Sequence, residues 1–158
     1  MSAPGYARFL VGALAGVAAT AVMTSAMARL HRTLPEQERY PLPPRELTEG
    51  AGGRMQTRDV ALLPHFGFGA AAGSVMAFGF PNIRPLFGSV LGFGVWLFSY
   101  CGWVPAFGIL KPADKHPARR NALMIGVHFL WGAVAAVTIR ELLLARETML
   151  APGPRKDA

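Results

Sequence analysis

Apolar residues arrive along this chain in four blocks with polar breaks between them. No Asp, Glu, Lys or Arg occurs from Phe9 to Ala28, from Val60 to Ile83, from Pro85 to Leu110, or from Asn121 to Ile139. The blocks are 20, 24, 26 and 19 residues long, and a helix needs roughly 20 apolar residues to cross a bilayer. All nine acidic residues fall between or beyond them. A soluble chain of 158 residues has no core large enough to bury four such stretches. The pattern therefore predicts an all-α membrane protein with four transmembrane helices in one domain, residues 1–158. The helices are expected at about 7–30, 60–80, 86–110 and 121–146, with a disordered tail at 152–158. Pro105 is expected to kink or stop the third helix early. The fourth is expected to continue past the membrane through Arg140-Glu141-Leu142-Leu143-Leu144-Ala145-Arg146-Glu147.

Small residues recur inside these blocks at a spacing that lets two helix backbones approach closely. Gly12 and Gly16 are four apart in the first helix, Gly69 and Gly73 in the second, Gly88 and Gly92 in the third. Between the first two helices, Tyr40-Pro41-Leu42-Pro43-Pro44-Arg45 must be extended, because its prolines remove backbone donors. We read it as a stiff loop packed on the bundle's surface. Gly50, Ala51, Gly52 and Gly53 form a flexible joint after it.

An internal match links the second and fourth helices. His65-Phe66-Gly67-Phe68-Gly69-Ala70-Ala71-Ala72 aligns without gaps to His128-Phe129-Leu130-Trp131-Gly132-Ala133-Val134-Ala135. With the Gly pairs of the first and third helices, this predicts two copies of a helical hairpin, related by an axis along the membrane normal. It adds Gly132 to the helix-packing positions. It also sets His65 and His128 near the start of their helices, on the side of the bundle that carries the two longer loops.

Composition sharpens the picture. Hydrophobic residues make up 52% of the chain and charged residues 16%, against about 25% charged in soluble domains. The net charge of +7 is of the kind that short loops carry to set orientation and meet anionic lipid. No basic stretch is interleaved with aromatics, so no nucleic-acid partner is expected. Ten Lys and Arg lie in the two longer loops and six elsewhere, which leans toward long loops in the cytoplasm. The first block also has a signal-peptide look, with Arg8 before it and Ala26-Met27-Ala28 at its end. It exceeds the usual apolar core of such peptides, roughly 7–15 residues, and reads as a retained helix. Cys101, the only cysteine, reads as a buried small apolar residue.

The Pro41-Leu42-Pro43-Pro44-Arg45 segment, the His65 helix with its small-residue face, and Gly126-Val127-His128-Phe129-Leu130-Trp131 followed by Ile139-Arg140-Glu141-Leu142 resemble the YagU-like family of bacterial inner-membrane proteins. The resemblance covers most of the chain. It implies a bacterial inner membrane with both termini inside, opposite to the charge count, and draws attention to His65, Arg45 and His128. It attaches no biochemical activity.

Ionisable residues within a membrane are functional candidates, because apolar ones are cheaper there. His65 and His128 read as satisfied packing groups, or as groups that change charge with pH. They also read as a bis-histidine pair for haem, the one cofactor in view, though none is predicted outright. His31 and His116 lie in loops without ligand spacing. The sequence has no Gly-x-Ser-x-Gly elbow, no His-Glu-x-x-His and no phosphate loop. The favoured expectation is a non-catalytic membrane protein with a stress, envelope or accessory-subunit role, its partners being the lipid bilayer, further copies or a larger complex. A small proton or solute carrier and a haem-binding electron carrier are the alternatives.

Overall fold

In hydrocarbon a backbone finds no water to bond, so a spanning segment must satisfy its own N–H and C=O groups, and a helix does so. The computed structural model, which describes residues 3–39, 58–107, 113–149 and 153, places helices on all four apolar blocks. They are α1 (Gly5–His31), α2 (Arg58–Gly79), α3 (Pro85–Ala106) and α4 (Ala118–Met149). Each is long and apolar enough to cross a membrane, and the protein is an all-α, multi-pass membrane protein. The Pro-rich segment with Arg45, the Gly50–Gly53 joint, residues 108–112 and the tail apart from Gly153 lie outside the described residues.

Faces turned away from the bundle are apolar too. Leu14, Leu63, Val75, Leu86 and Phe98 are all more than half exposed, which is the surface that lipid chains cover. Cys101 belongs with them. It is exposed on the bundle's surface rather than buried by protein, so lipid supplies the apolar surroundings that its neighbours were expected to give.

The third helix is interrupted near its far end, as Pro105 predicts, but the interruption begins before the proline. It is α-helical to Phe98, opens into a π-helical turn over Ser99–Trp103, and closes with α-helical Val104–Ala106. Gly102 sits at φ −110°, ψ −110° within that turn. Pro105 has no N–H for the carbonyl of Cys101, and its ring crowds that carbonyl. The disruption therefore begins a turn before the proline, where the stranded carbonyl lies. A wider turn absorbs it.

Helix packing follows four stripes of every fourth residue, since such residues share a helix face. In α1 the stripe is Gly12, Gly16, Thr20, Thr24, and it faces His65, Gly69, Gly73, Ala77 of α2. In α3 it is Gly88, Gly92, Trp96, Tyr100, and its two glycines face His128, Gly132 and Ala136 of α4. A Cβ on Gly12 would sit 2.6 Å from Ser74 Cα and 2.8 Å from Ala77 Cβ. One on Gly16 would run into the Gly69 carbonyl, and one on Gly73 into the Gly12 carbonyl. In the second hairpin Gly88 meets the Gly132 carbonyl, Gly92 the His128 carbonyl, and Gly132 the Gly88 carbonyl. No side chain fits at these backbone-to-backbone contacts.

The two hairpins join through α1 and α4, whose facing stripes bury Ala15, Ala19 and Ala135 completely. α2 and α3 have almost no close backbone approach. They touch through aromatic rings, Phe68 on Trp103 and, at the other end, Phe80 on Phe87. A rotation about the membrane normal that carries α1 onto α3 and α2 onto α4 therefore does not reproduce the contacts. α1 and α4 each bury a second face, with Ala15, Ala19 and Met23 on one and Val127, Trp131, Ala135 and Ile139 on the other.

Candidate functional site

The bundle has two unlike halves. Toward the end that carries the termini and the α2–α3 turn, glycine and alanine bring backbones together. Toward the opposite end, where the two longer loops lie, the same stripes carry Thr, His, Trp and Tyr, and a polar seam runs through the packing.

Thr20 is the hub of that seam, 1% exposed. Its hydroxyl donates to the Gly16 carbonyl at 2.7 Å and accepts from Trp131 Nε1 at 3.0 Å. The same oxygen lies against Gly69, where a Cβ would displace it. One side chain thus ties α1 to α2 and α4. One turn on, Thr24 Oγ1 donates to the Thr20 carbonyl at 2.7 Å and pairs with His65 Nε2 at 3.2 Å. Because the Thr24 proton is committed to a carbonyl, the proton of the second bond belongs to His65 Nε2, leaving Nδ1 with an open lone pair in the neutral ring. His128 is the other way round. Its Nδ1 lies 2.7 Å from the Met124 carbonyl, an acceptor only, so Nδ1 carries the proton and Nε2 keeps the lone pair. Both imidazoles are half-buried.

An aromatic ladder leads from this point to the loop face. Phe129 stacks on Phe93 with ring centroids 5.5 Å apart, Phe93 on Trp96 at 5.7 Å, and Trp96 on Tyr100 at 5.8 Å. Tyr100 meets His116 edge-on. Trp96 Nε1 and Ser99 Oγ are buried without a hydrogen-bond partner. Arg120, at the start of α4, is 3% exposed. Among the described residues no group of three His, Cys, Asp or Glu side chains is placed to hold a metal.

Of the residues singled out in the sequence, His65 and His128 come into one half of the bundle, but they do not hold equivalent places. The gapless sequence match sets His65 against His128. The packing sets Gly69 against His128, Gly73 against Gly132 and Ala77 against Ala136. The two registers differ by one helical turn, so the structural counterpart of His65 is Met124. Gly12, Gly16, Gly69, Gly73, Gly88, Gly92 and Gly132 all sit where helices touch. Arg45 lies outside the described residues. Sequence reasoning missed Thr20, Thr24, Trp96 and Trp131. The signal for the threonines was present, since they extend the Gly12–Gly16 spacing by two further steps of four. Neither a protein-family model, nor a curated protein, nor a solved structure matches this chain.

Proposed function

We propose that this chain is a small non-catalytic protein of a bacterial inner membrane that responds to proton activity through His65 and His128, alone or as an accessory subunit of a larger complex. The resemblance to the YagU-like family supports the bacterial membrane. The observation that carries the response is the pair of imidazoles in the loop-side half of the bundle, each with one nitrogen bonded and one lone pair open. On α1, Thr24 pairs with His65 and is linked through its own hydroxyl to the Thr20 carbonyl, while His128 holds the Met124 carbonyl of its own helix.

A proton on either ring places a cation in a low-dielectric interior, and a second proton adds like-charge repulsion. Relief comes from parting the helices at the loop end, where packing rests on side chains. The glycine end, locked backbone to backbone, stays closed and acts as the hinge.

Tryptophan emission in full-length protein in lipid nanodiscs tests this, since Trp96 and Trp131 lie in the seam. A reversible change is expected between about pH 8 and about pH 4, and it should vanish in the His65→Gln/His128→Gln variant. Emission that is flat for the unaltered protein across that range would sink the reading.

A further inference from the structure

The termini face holds a cavity of ≈ 350 Å³ that the histidine seam does not reach. Arg8 of α1, Asn82 of the α2–α3 turn, and Arg140, Leu143, Leu144 and Glu147 of α4 line it. Its depth in the membrane follows from the sequence. Arg8 immediately precedes the first charge-free block, Arg84 separates the second from the third, and Arg140 immediately follows the fourth. All three arginines therefore mark the edge of the hydrocarbon on one side, the level at which lipid phosphates lie. The last two turns of α4 rise beyond that edge and form an outer wall, with Leu143 buried and Leu144 half exposed.

Two features say what the cavity takes. Its charged lining is two arginines against one glutamate, so its field favours an anion. Arg8 also carries a buried Nε with no hydrogen-bond partner. A buried guanidinium N–H without an acceptor is costly, and such groups in native structures are nearly always paired. Neither Glu147 nor Asn82 serves it, although both line the same cavity. No described side chain of the lining supplies that acceptor. Arg140 is held by Glu141 at 3.2 Å on the exposed side, which leaves the rest of its fork for the same anion.

We propose that this cavity binds the headgroup of an anionic phospholipid, with the phosphate between Arg8 and Arg140. Asn82 and Glu147 lie farther out and accept hydrogen bonds from headgroup hydroxyls. The lipid's chains run down the outward apolar faces of α1 and α4. The proposal depends on the protein being in a bilayer and not on the histidine reading.

The test is native mass spectrometry of delipidated full-length protein in detergent, titrated separately with phosphatidylglycerol, phosphatidylcholine and inorganic phosphate. One phosphatidylglycerol per chain is expected, held roughly tenfold more tightly than phosphatidylcholine. Arg8→Gln should remove most of that preference, Arg140→Gln a smaller part, and Arg84→Gln, outside the lining, none. Arg8→Lys, which keeps the charge but loses the fork, should restore the preference in part. An unchanged melting temperature for Arg8→Gln in the absence of lipid shows that the fold survives. If that variant does not fold, the comparison of Arg140→Gln with Arg84→Gln decides. Equal retention of the two lipids, or a preference that Arg8→Gln and Arg140→Gln leave intact, would overturn the site. Inorganic phosphate binding as tightly as phosphatidylglycerol would overturn the lipid as its ligand.

Discussion

The two hairpins begin alike and end differently. At the termini end each is built on backbone contact: Gly12 and Gly16 against Gly73 and Gly69 in one, Gly88 and Gly92 against Gly132 and the His128 carbonyl in the other. Toward the loop end the stripes continue with different contents. The first hairpin places Thr20 and Thr24 against Gly69 and His65. The second continues with Trp96 and Tyr100, stacked on each other. Small hydroxyls bonded to carbonyls fill the first, and large rings stacked on one another fill the second. The difference shows that a glycine pair sets how closely two helices approach, while the side chains beyond the crossing set what the pair of helices can do.

The largest effect should come from removing the part the hairpins share. Gly16→Leu and Gly92→Leu should each destabilise the detergent-solubilised protein by about 3 kcal/mol, or leave it unfolded. Gly94→Leu, with nothing within 4 Å of the added carbon, should change thermal stability by no more than about 0.5 kcal/mol. Equal damage from Gly94 and Gly92 would break the claim that backbone contact holds each hairpin.

A middle-sized effect should separate the hairpins at equivalent places. Thr20→Val keeps the shape but leaves Trp131 Nε1 buried without an acceptor, at a cost of about 2 kcal/mol. Adding Trp131→Phe should recover much of that loss, because the orphaned donor is then gone. A double variant as unstable as the sum of the two single ones would show that Thr20 acts by packing alone.

The smallest effect sharpens the same comparison from the other side. Trp96 holds the place in the second hairpin that Thr20 holds in the first, yet its Nε1 has no partner. Trp96→Phe should therefore be near neutral, within about 1 kcal/mol in thermal unfolding. A much larger loss would mean that the indole N–H is bonded in the membrane.

The histidines show why a sequence match and a structural match part company. His-Phe-x-aromatic-Gly-Ala is legible in both α2 and α4, but a helix repeats its faces every turn. A slip of four residues keeps the same helix face turned inward, so the sequence pattern alone does not separate the two registers. Only the partner helix decides between them. The π-helical turn in α3 was half legible in the same way, since Pro105 announces a disruption but not the turn in which it falls. Thr20 was legible as a polar residue on a small-residue stripe. Its bond to Trp131, far away in the chain, was not.

By itself the sequence determined that this is a four-span, all-α membrane protein and which face of each helix comes close to another. Hydrocarbon leaves a charge-free segment no other way to satisfy its backbone, and close approach requires residues without side chains. Only the tertiary structure decided that α1 and α4 form the middle of the bundle, that His65 answers to Met124 rather than to His128, and that Arg8 and Arg140 line one cavity. Each of those outcomes turns on which helix lies beside which and in what register. In a chain of near-equivalent small-residue faces, only the packing of all the helices together settles that.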